Sequence, residues 1–465
     1  MNQLTSSFND CTYSTHVTHE SLIKINSSDE LRAVINNLIN QGKEFHICSA
    51  GMNWGYGSKL GDKSGTVLID VSSLKKIELN EEHSYVTIEA GVTQKDLYDY
   101  LSASESNLIL SITGSSPNSS IIGNALSYGY GNGRSTLRVE DILQVNGYDK
   151  QGKHHIGIDN STCKYGNHST INKLVHDSKS IITKAKISLK QIPETLLLTA
   201  FSIDSDDKFE HLIKKLNHYK NQGLIEGNWS VFSAHRLLAE KDLKKNLFSD
   251  VNKQVEYDVA KNQLKEFDYK IWTGSYNGVF ACYLPSKGIA DSIENFLKED
   301  ISSAIDRVEF IQVSKQNIME ERKNGNGFYS IQTDPPILSR LRTFSGILKN
   351  GSVDIMYWKK NIESKQYLPD EEKCGFIWLA SSLPNDYKLI SRFKNQVNDS
   401  LSTYNIDPIF VIDGVLIHET YFMISLIFDL QNEKEEQNIK AAFEELKTIC
   451  TEMDIVNYKM ITPFE

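Results

Sequence analysis

The stretch CSAGMNWGYGSKLG, residues 48–61, carries four glycines beside a tryptophan and a tyrosine. Each glycine inside a helix costs about 1 kcal/mol relative to alanine, so this segment cannot be an ordinary helix. It reads instead as a turn where backbone approaches something closely, and it follows the strand-like EFHICSA directly. A second irregular stretch, TGSSPNSSIIGNALSYGYGNGR at residues 113–134, begins as a small-residue loop. It becomes an apolar helix-like piece at Ile121 to Leu126 and then turns glycine-rich again. Hydroxyl and amide side chains with small neighbours aim many donors at one acceptor-rich ligand, which is what holding a pyrophosphate requires. Neither stretch is a G-x-G-x-x-G opening a helix, and no G-x-x-x-x-G-K-[ST] occurs. Two separated loops, each following a strand, must therefore converge on one ligand. A long dinucleotide such as FAD fits.

Around these loops, residues 27–91 read as alternating helices and strands. Ser27 and Glu30 are spaced as a capping box for a helix with apolar positions Leu31, Val34, Ile35 and Leu38, and Gly42 is its natural stop. Strands are predicted at TVLIDVS (66–72) and YVTIEAG (85–91), followed by a helix, QKDLYDYLSAS. SIITKAKISLKQI (180–192) reads as a strand that Pro193 closes. From about residue 196 to 456 the glycine loops cease. The segments LLLTAFSI, YKIWTGSYNGVFACYL, GFIWLASSL and ETYFMISLIFDL read as strands, alternating with charged helices such as EEQNIKAAFEELKTICTEM. That pattern predicts an α+β domain with a largely antiparallel sheet.

A chain of 465 residues is long enough for two or three domains. Its net charge of −10 argues against general nucleic-acid binding. The six cysteines are scattered without a CxxC pair, so neither a metal site nor a redox dithiol is expected, and six reduced thiols fit a cytoplasmic protein. MNQLTSSFNDCTYSTH has no basic region and no apolar core, so no signal peptide is expected, and no apolar run approaches the roughly 20 residues that span a bilayer. The expected partner is a small-molecule substrate; a homodimer is left open.

Four segments, in order, resemble the vanillyl-alcohol oxidase and p-cresol methylhydroxylase family of FAD enzymes. ICSAGMNWGYG is similar to the family's I-S-x-G-x-N-x-G-Y-G phosphate loop. VLIDVSSLKKIELNEEHSYVTIEAGVTQKDLYDYL is similar to its aliphatic-Asp strand, V-E-P-G-V-T turn and D-L-x-x-Y-L helix. SIIGNALSYGYG resembles S-V-x-G-N-A-x-x-x-G-x-G, and DSKSIITKAKISLKQIPE resembles the stretch that ends the family's FAD domain. The resemblance is good over about residues 28–195 and faint beyond. It implies an α+β fold: a two-part FAD-binding domain at 1–195, an α+β cap domain with a large antiparallel sheet at 196–456, and a short return at 457–465, with the family's C-terminal tail missing. It implies FAD contacts at Ser49, Ala50, Gly51, Met52, Asn53, Trp54, Gly55 and Gly57 in the first loop. In the second it implies Gly114, Ser115, Ser116, Ser119, Ser120, Gly123 and Asn124, with Ile182 on the later strand.

In that family flavin N5 takes a hydride from a benzylic carbon para to a phenol, and two Tyr and an Arg hold the phenolate. Tyr56 falls on the first Tyr; NYKM places Tyr458 and Lys459 on the Tyr-Arg pair. Lys keeps the charge but loses the planar fork. An acid near the flavin is absent, because Leu137 stands at its place. Met52 and Phe376 replace the histidines that link flavin covalently in relatives, so non-covalent FAD is expected, with Tyr367 a weak candidate for a tyrosyl link. The leading reading is an FAD-dependent oxidoreductase acting on a small phenolic or aromatic substrate. The alternatives are a flavoprotein oxidase or dehydrogenase of an alcohol, amine or sugar, and a non-catalytic flavin-fold binding protein.

Overall fold

The computed structural model describes residues 10–12, 17–61, 63–149, 154–156, 180–349 and 351–459. Cys163 and the last residues of KMITPFE lie outside them; the other five cysteines are free and buried.

The first domain is built on two small sheets. The helix Ser28–Asn40 starts where Ser27 accepts the Glu30 N–H at 3.1 Å; the Glu30 carboxylate turns back to the N–H of Asn26, not to that of Ser27. Its stripe of Leu31, Ile35 and Leu38 packs on a parallel three-stranded sheet ordered His19–Lys24, Thr66–Asp70, Phe45–Cys48. A five-stranded antiparallel sheet follows, ordered Ile77–Asn80, Tyr85–Glu89, Ser180–Ser188, Ile142–Asp149, His154–Ile156. The helix Gln94–Ala103 covers it, opened by a complete capping box between Thr93 and Asp96.

The second domain is an eight-stranded antiparallel sheet. Its order is Arg307–Ser314, Thr195–Ile203, Tyr276–Leu284, Trp229–Ser233, Phe410–Gly414, Glu419–Asp429, Cys374–Pro384, Val456–Lys459. Every residue of Thr195–Ile203 and Tyr276–Leu284 is buried, which explains why apolar residues dominate both without alternating. On one face lie the long helices Asp206–Asn221, Lys287–Ile301, Tyr387–Thr403 and Glu433–Glu452. On the other lie shorter helices, Ala234–Lys241 and Pro335–Phe344 among them, together with Trp54 and Ile109 of the first domain.

Two expectations need correction. YKIWTGSYNGVFACYL is a strand only from Tyr276; the β-prone YKIW ahead of it is held in a turn because the Asp334 carboxylate takes the N–H groups of Lys270, Ile271 and Trp272. Of residues 457–465, read as a return to the first domain, the described residues 457–459 form an edge strand of the large sheet; their side chains reach back, Lys459 to Asn53 at 2.9 Å and Tyr458 into a cluster with Tyr56 and Tyr130. Among the described residues, no helix is long and apolar enough to cross a membrane.

Candidate active site

A single carbonyl draws the two glycine-rich loops together. Ser49 of the first and Ser120 of the second each donate a hydroxyl to Ala90 O at 2.8 Å. The second loop is stiffened by Gln94, whose amide donates to Thr113 Oγ1 at 3.0 Å and Ser119 Oγ at 3.1 Å while accepting the Thr113 N–H at 2.8 Å. Between the loops runs a cavity of about 450 Å³. Ser49, Ala50, Gly51, Met52, Asn53 and Trp54 border it on one side, and Ser115, Ser119, Ser120, Gly123 and Asn124 on the other. It adjoins a second cavity of about 190 Å³ under the large sheet, and Tyr56, Trp378 and Lys459 border both. Gly114 borders the second cavity.

Four expected cofactor contacts border neither cavity: Gly55, Gly57, Ser116 and Ile182. Gly55 and Gly57 have φ of +79° and +91°, so they serve the turn. A Cβ on Gly55 would lie 2.5 Å from Trp378 and 2.8 Å from Phe376, so this glycine is required by close docking on the cap strand Cys374–Pro384. Ser116 is tied up in the second loop's own turn, where its Oγ accepts the Asn118 N–H, and Ile182 packs in the first domain's core. Tyr367, the tyrosyl-link candidate, also borders neither cavity; it is 39% exposed with its hydroxyl 3.4 Å from Asp354.

The three expected catalytic side chains do come together. Lys459 Nζ lies 3.9 Å from the Tyr56 ring centroid. The Tyr56 hydroxyl is buried and has no hydrogen-bond partner among the described residues. Tyr458 donates only to Met423 Sδ, a weak acceptor, at 3.3 Å, and its ring stacks on Tyr421 at 4.1 Å. Burial pushes the Tyr56 hydroxyl well above its ordinary range, and does the same to Tyr458, so both stay neutral donors.

Burial also pushes the Lys459 ammonium down to about 7 from 10.5. Between these two values the unfolded chain binds more protons, so this group makes stability rise with pH across that window. Lys459→Met is expected to stabilise the protein most at or below pH 7, with the gain shrinking toward pH 10.5. Thermal midpoints of parent and variant across that range check this; parallel pH curves would contradict it.

Apart from Lys459, sequence reasoning missed the charged groups of the second cavity. Leu137, which stands at the place of the family's acid, pairs with Tyr130 as an isolated bridge. A carboxylate arrives instead from Phe410–Gly414: Asp413, 3% exposed, accepts hydrogen bonds from Tyr130 and Ser230. Burial pushes its carboxyl up. The signal was present, because an aspartate inside IFVIDGVL breaks an otherwise apolar strand. Arg236 and Arg340 also border this cavity, from the helices Ala234–Lys241 and Pro335–Phe344, and both face Glu240.

Residues 20–156 match the FAD binding domain family. The chain is 23% identical to the 1'-carboxy-chondrochloren decarboxylase of Chondromyces crocatus over 450 residues, 92% of this chain and 80% of that protein. An 84-residue stretch is 33% identical to the flavoprotein subunit of 4-cresol dehydrogenase [hydroxylating] of Pseudomonas putida, 18% of this chain and 16% of that one. Among solved structures, p-cresol methylhydroxylase with substrate bound superposes with a TM-score of 0.82 at 16% identity, covering 98% of this chain and 84% of that chain. The 4-ethylphenol oxidase of Gulosibacter chungangensis in complex with isoeugenol gives 0.80 at 16% identity, covering 97% and 83%. The loops fit the cofactor these likenesses imply: the cavity runs between them, and Asn124 Oδ1 and the Tyr56 hydroxyl stand buried on it without partners among the described residues. Residues 20–156 are thus an FAD-binding domain, and the whole chain has the fold of p-cresol methylhydroxylase and 4-ethylphenol oxidase.

Proposed function

We propose that this protein oxidises a small phenolic or similar aromatic substrate. FAD, when bound along the two loops, supplies the two-electron acceptor. The observation that carries the reading is the convergence of Tyr56, Tyr458 and Lys459 on one cavity, with a buried Tyr56 hydroxyl that nothing among the described residues satisfies. A substrate phenol oxygen placed there receives two neutral hydroxyl donors and the ammonium of Lys459, which together stabilise its anion in water-poor surroundings. Asp413, a carboxylate whose proton affinity burial raises and which accepts a hydrogen bond from Tyr130, is the group on the cavity suited to taking up the proton that leaves. On this reading residues up to 195 hold the cofactor, 196–456 shape the substrate space, and Lys459 closes it from the edge strand.

The test is anaerobic mixing of the yellow protein with para-alkylphenols, benzylic alcohols and amines. Bleaching by the phenols, and none by their deoxy analogues, is expected. Bleaching by an alcohol, amine or sugar alone would replace the phenol with that class, and a protein that holds FAD but bleaches with nothing would mark a binding module. A second reading, loss of a carboxyl group from the aromatic substrate, is favoured by the guanidiniums of Arg236 and Arg340 and by the name of the Chondromyces relative. Carbon dioxide released in step with bleaching separates it from simple oxidation.

Non-covalent attachment belongs to the same proposal. Met52 borders both cavities and Phe376 the second, and neither side chain is a nucleophile toward flavin. Acid precipitation is expected to leave the yellow colour in the supernatant; colour kept in the pellet would contradict this.

A further inference from the structure

Both oxygens of Asp413 are already in use. Oδ2 accepts from the Tyr130 hydroxyl, and Oδ1 accepts from the Ser230 hydroxyl and, at 3.4 Å, from Asn228 Nδ2. With the residue only 3% exposed, a substrate proton reaches this carboxylate through a group that already donates to it. Burial raises the proton affinity of the carboxyl, while the hydroxyls of Ser230 and Tyr130 and the guanidiniums of Arg236 and Arg340 draw it back. An acceptor needs that opposition, because it has to start ionised and hold a proton afterwards.

Of the two hydroxyls, that of Tyr130 stands among the proposed phenol-binding groups. Both residues border the second cavity. Ser230 Oγ, however, accepts from Asn228 Nδ2 at 3.4 Å, whereas the Tyr130 oxygen accepts no hydrogen bond among the described residues and keeps its lone pairs. Tyr130 packs in one cluster with Tyr56 and Tyr458: its ring meets Tyr421 edge-on at 5.6 Å, and Tyr458 stacks on that same ring. Burial, and after it the Asp413 charge, push the Tyr130 hydroxyl well above its ordinary range, so it holds its own proton until another replaces it. In the function proposed above, Tyr56, Tyr458 and Lys459 all donate to the substrate oxygen. Three donors match the three lone pairs of a phenolate, so the substrate's own proton has to leave. We propose that Tyr130 is a catalytic residue that relays this proton to Asp413. The substrate O–H bond breaks as an O–H bond forms on Tyr130, and the proton Tyr130 held moves to Asp413 Oδ2. Tyr130 ends as it began, Asp413 ends neutral, and the electron pair leaves with the hydride of the proposed oxidation. The relay rests on the phenol reading of this site.

The FAD-loaded parent and Tyr130→Phe are mixed without oxygen at neutral pH with para-ethylphenol and with its tetrafluoro analogue. The first arrives protonated, as a phenol pKa of about 10 dictates; the second arrives as its phenolate and needs no relay. With para-ethylphenol, Tyr130→Phe is expected to reduce its flavin about 100- to 10,000-fold more slowly than the parent, the usual worth of a placed acid–base group. With the fluorinated phenol it is expected to stay close to the parent's rate. Equal slowing with both would overturn the relay and give Tyr130 a packing role. Parental rates with both would overturn it in favour of another acceptor, such as Lys459. Either result leaves the phenol reading standing, whereas a parent bleached by neither phenol removes that reading and the relay together. Where Tyr130→Phe does not fold, the parent alone decides. Its rate with para-ethylphenol in mixtures of H2O and D2O curves with deuterium fraction when two protons move, and a linear or absent dependence overturns the relay.

Discussion

Tyr56→Phe is expected to slow flavin reduction by about two to three orders of magnitude, while the folded protein becomes no less stable and retains its FAD. The rate effect follows from what the hydroxyl does. It is a neutral donor fixed in an enclosed space, and losing one such donor to a developing oxyanion typically costs about 100- to 1000-fold. The stability effect has the opposite sign. The Tyr56 hydroxyl is buried without a partner among the described residues, and an unsatisfied buried polar group costs about 1–3 kcal/mol, which Phe does not incur. The ring stays, so the Lys459 ammonium keeps its place 3.9 Å from the centroid, and the loop bond from Lys459 to Asn53 survives. Rapid mixing without oxygen gives the rate, and thermal unfolding gives the stability. A variant that reduces its flavin at the parent's rate removes Tyr56 from the chemistry. A variant that is slow only because it has lost FAD would show that the hydroxyl serves the fold.

The contrast between Tyr56 and Asp413 shows which parts of this site were legible. The loops announced themselves, because runs of glycine and hydroxyl residues are locally incompatible with helix and strand. Their joint use as one cradle followed from chain order and from the resemblance. Asp413 and the two arginines gave a weaker signal. Arg236 lies in HRLLAEK and Arg340 in LSRLRTF, where a charged residue among leucines reads as the solvent face of an amphipathic helix. Both faces of the large sheet are covered, so there the charged side of a helix meets a cavity instead of water. That reversal depends on strands more than a hundred residues apart, which no local pattern records. The YKIW segment failed for a related reason: its β-prone side chains are real, but a carboxylate some sixty residues away takes the N–H groups a ladder would need.

Gly55 was expected to contact FAD, but it docks against the cap strand instead, and that difference yields the second large effect. The first loop does not simply wrap a ligand; it is clasped to the second domain. Trp54 Nε1 donates to Asp370 at 2.9 Å, Ser58 Oγ donates to the same carboxylate at 2.7 Å, and the Phe376 N–H reaches Cys11 O at 2.8 Å. Gly55 lies at the closest approach, where Phe376 and Trp378 meet edge to face at 4.9 Å and leave no room for a Cβ. Gly55→Val therefore combines a β-branched residue at φ +79° with a collision against two large rings that themselves line the substrate space. Strain at such a φ costs about 1–3 kcal/mol, and forced overpacking about 1–3 kcal/mol more. The loop and the cap strand must part, and FAD affinity is expected to fall by at least about thirtyfold, since 2 kcal/mol corresponds to that ratio. Gly65 supplies the control. Its φ is +78°, and nothing lies within 4 Å of where its Cβ would be. Gly65→Val thus carries the same backbone strain without the collision. FAD titration of the two variants separates the causes: Gly65→Val should keep near-parental affinity with a lowered thermal midpoint, and Gly55→Val should lose both. Equal losses in the two would assign the whole effect to backbone conformation, and full FAD occupancy in Gly55→Val would show that the loop holds its cofactor without the clasp.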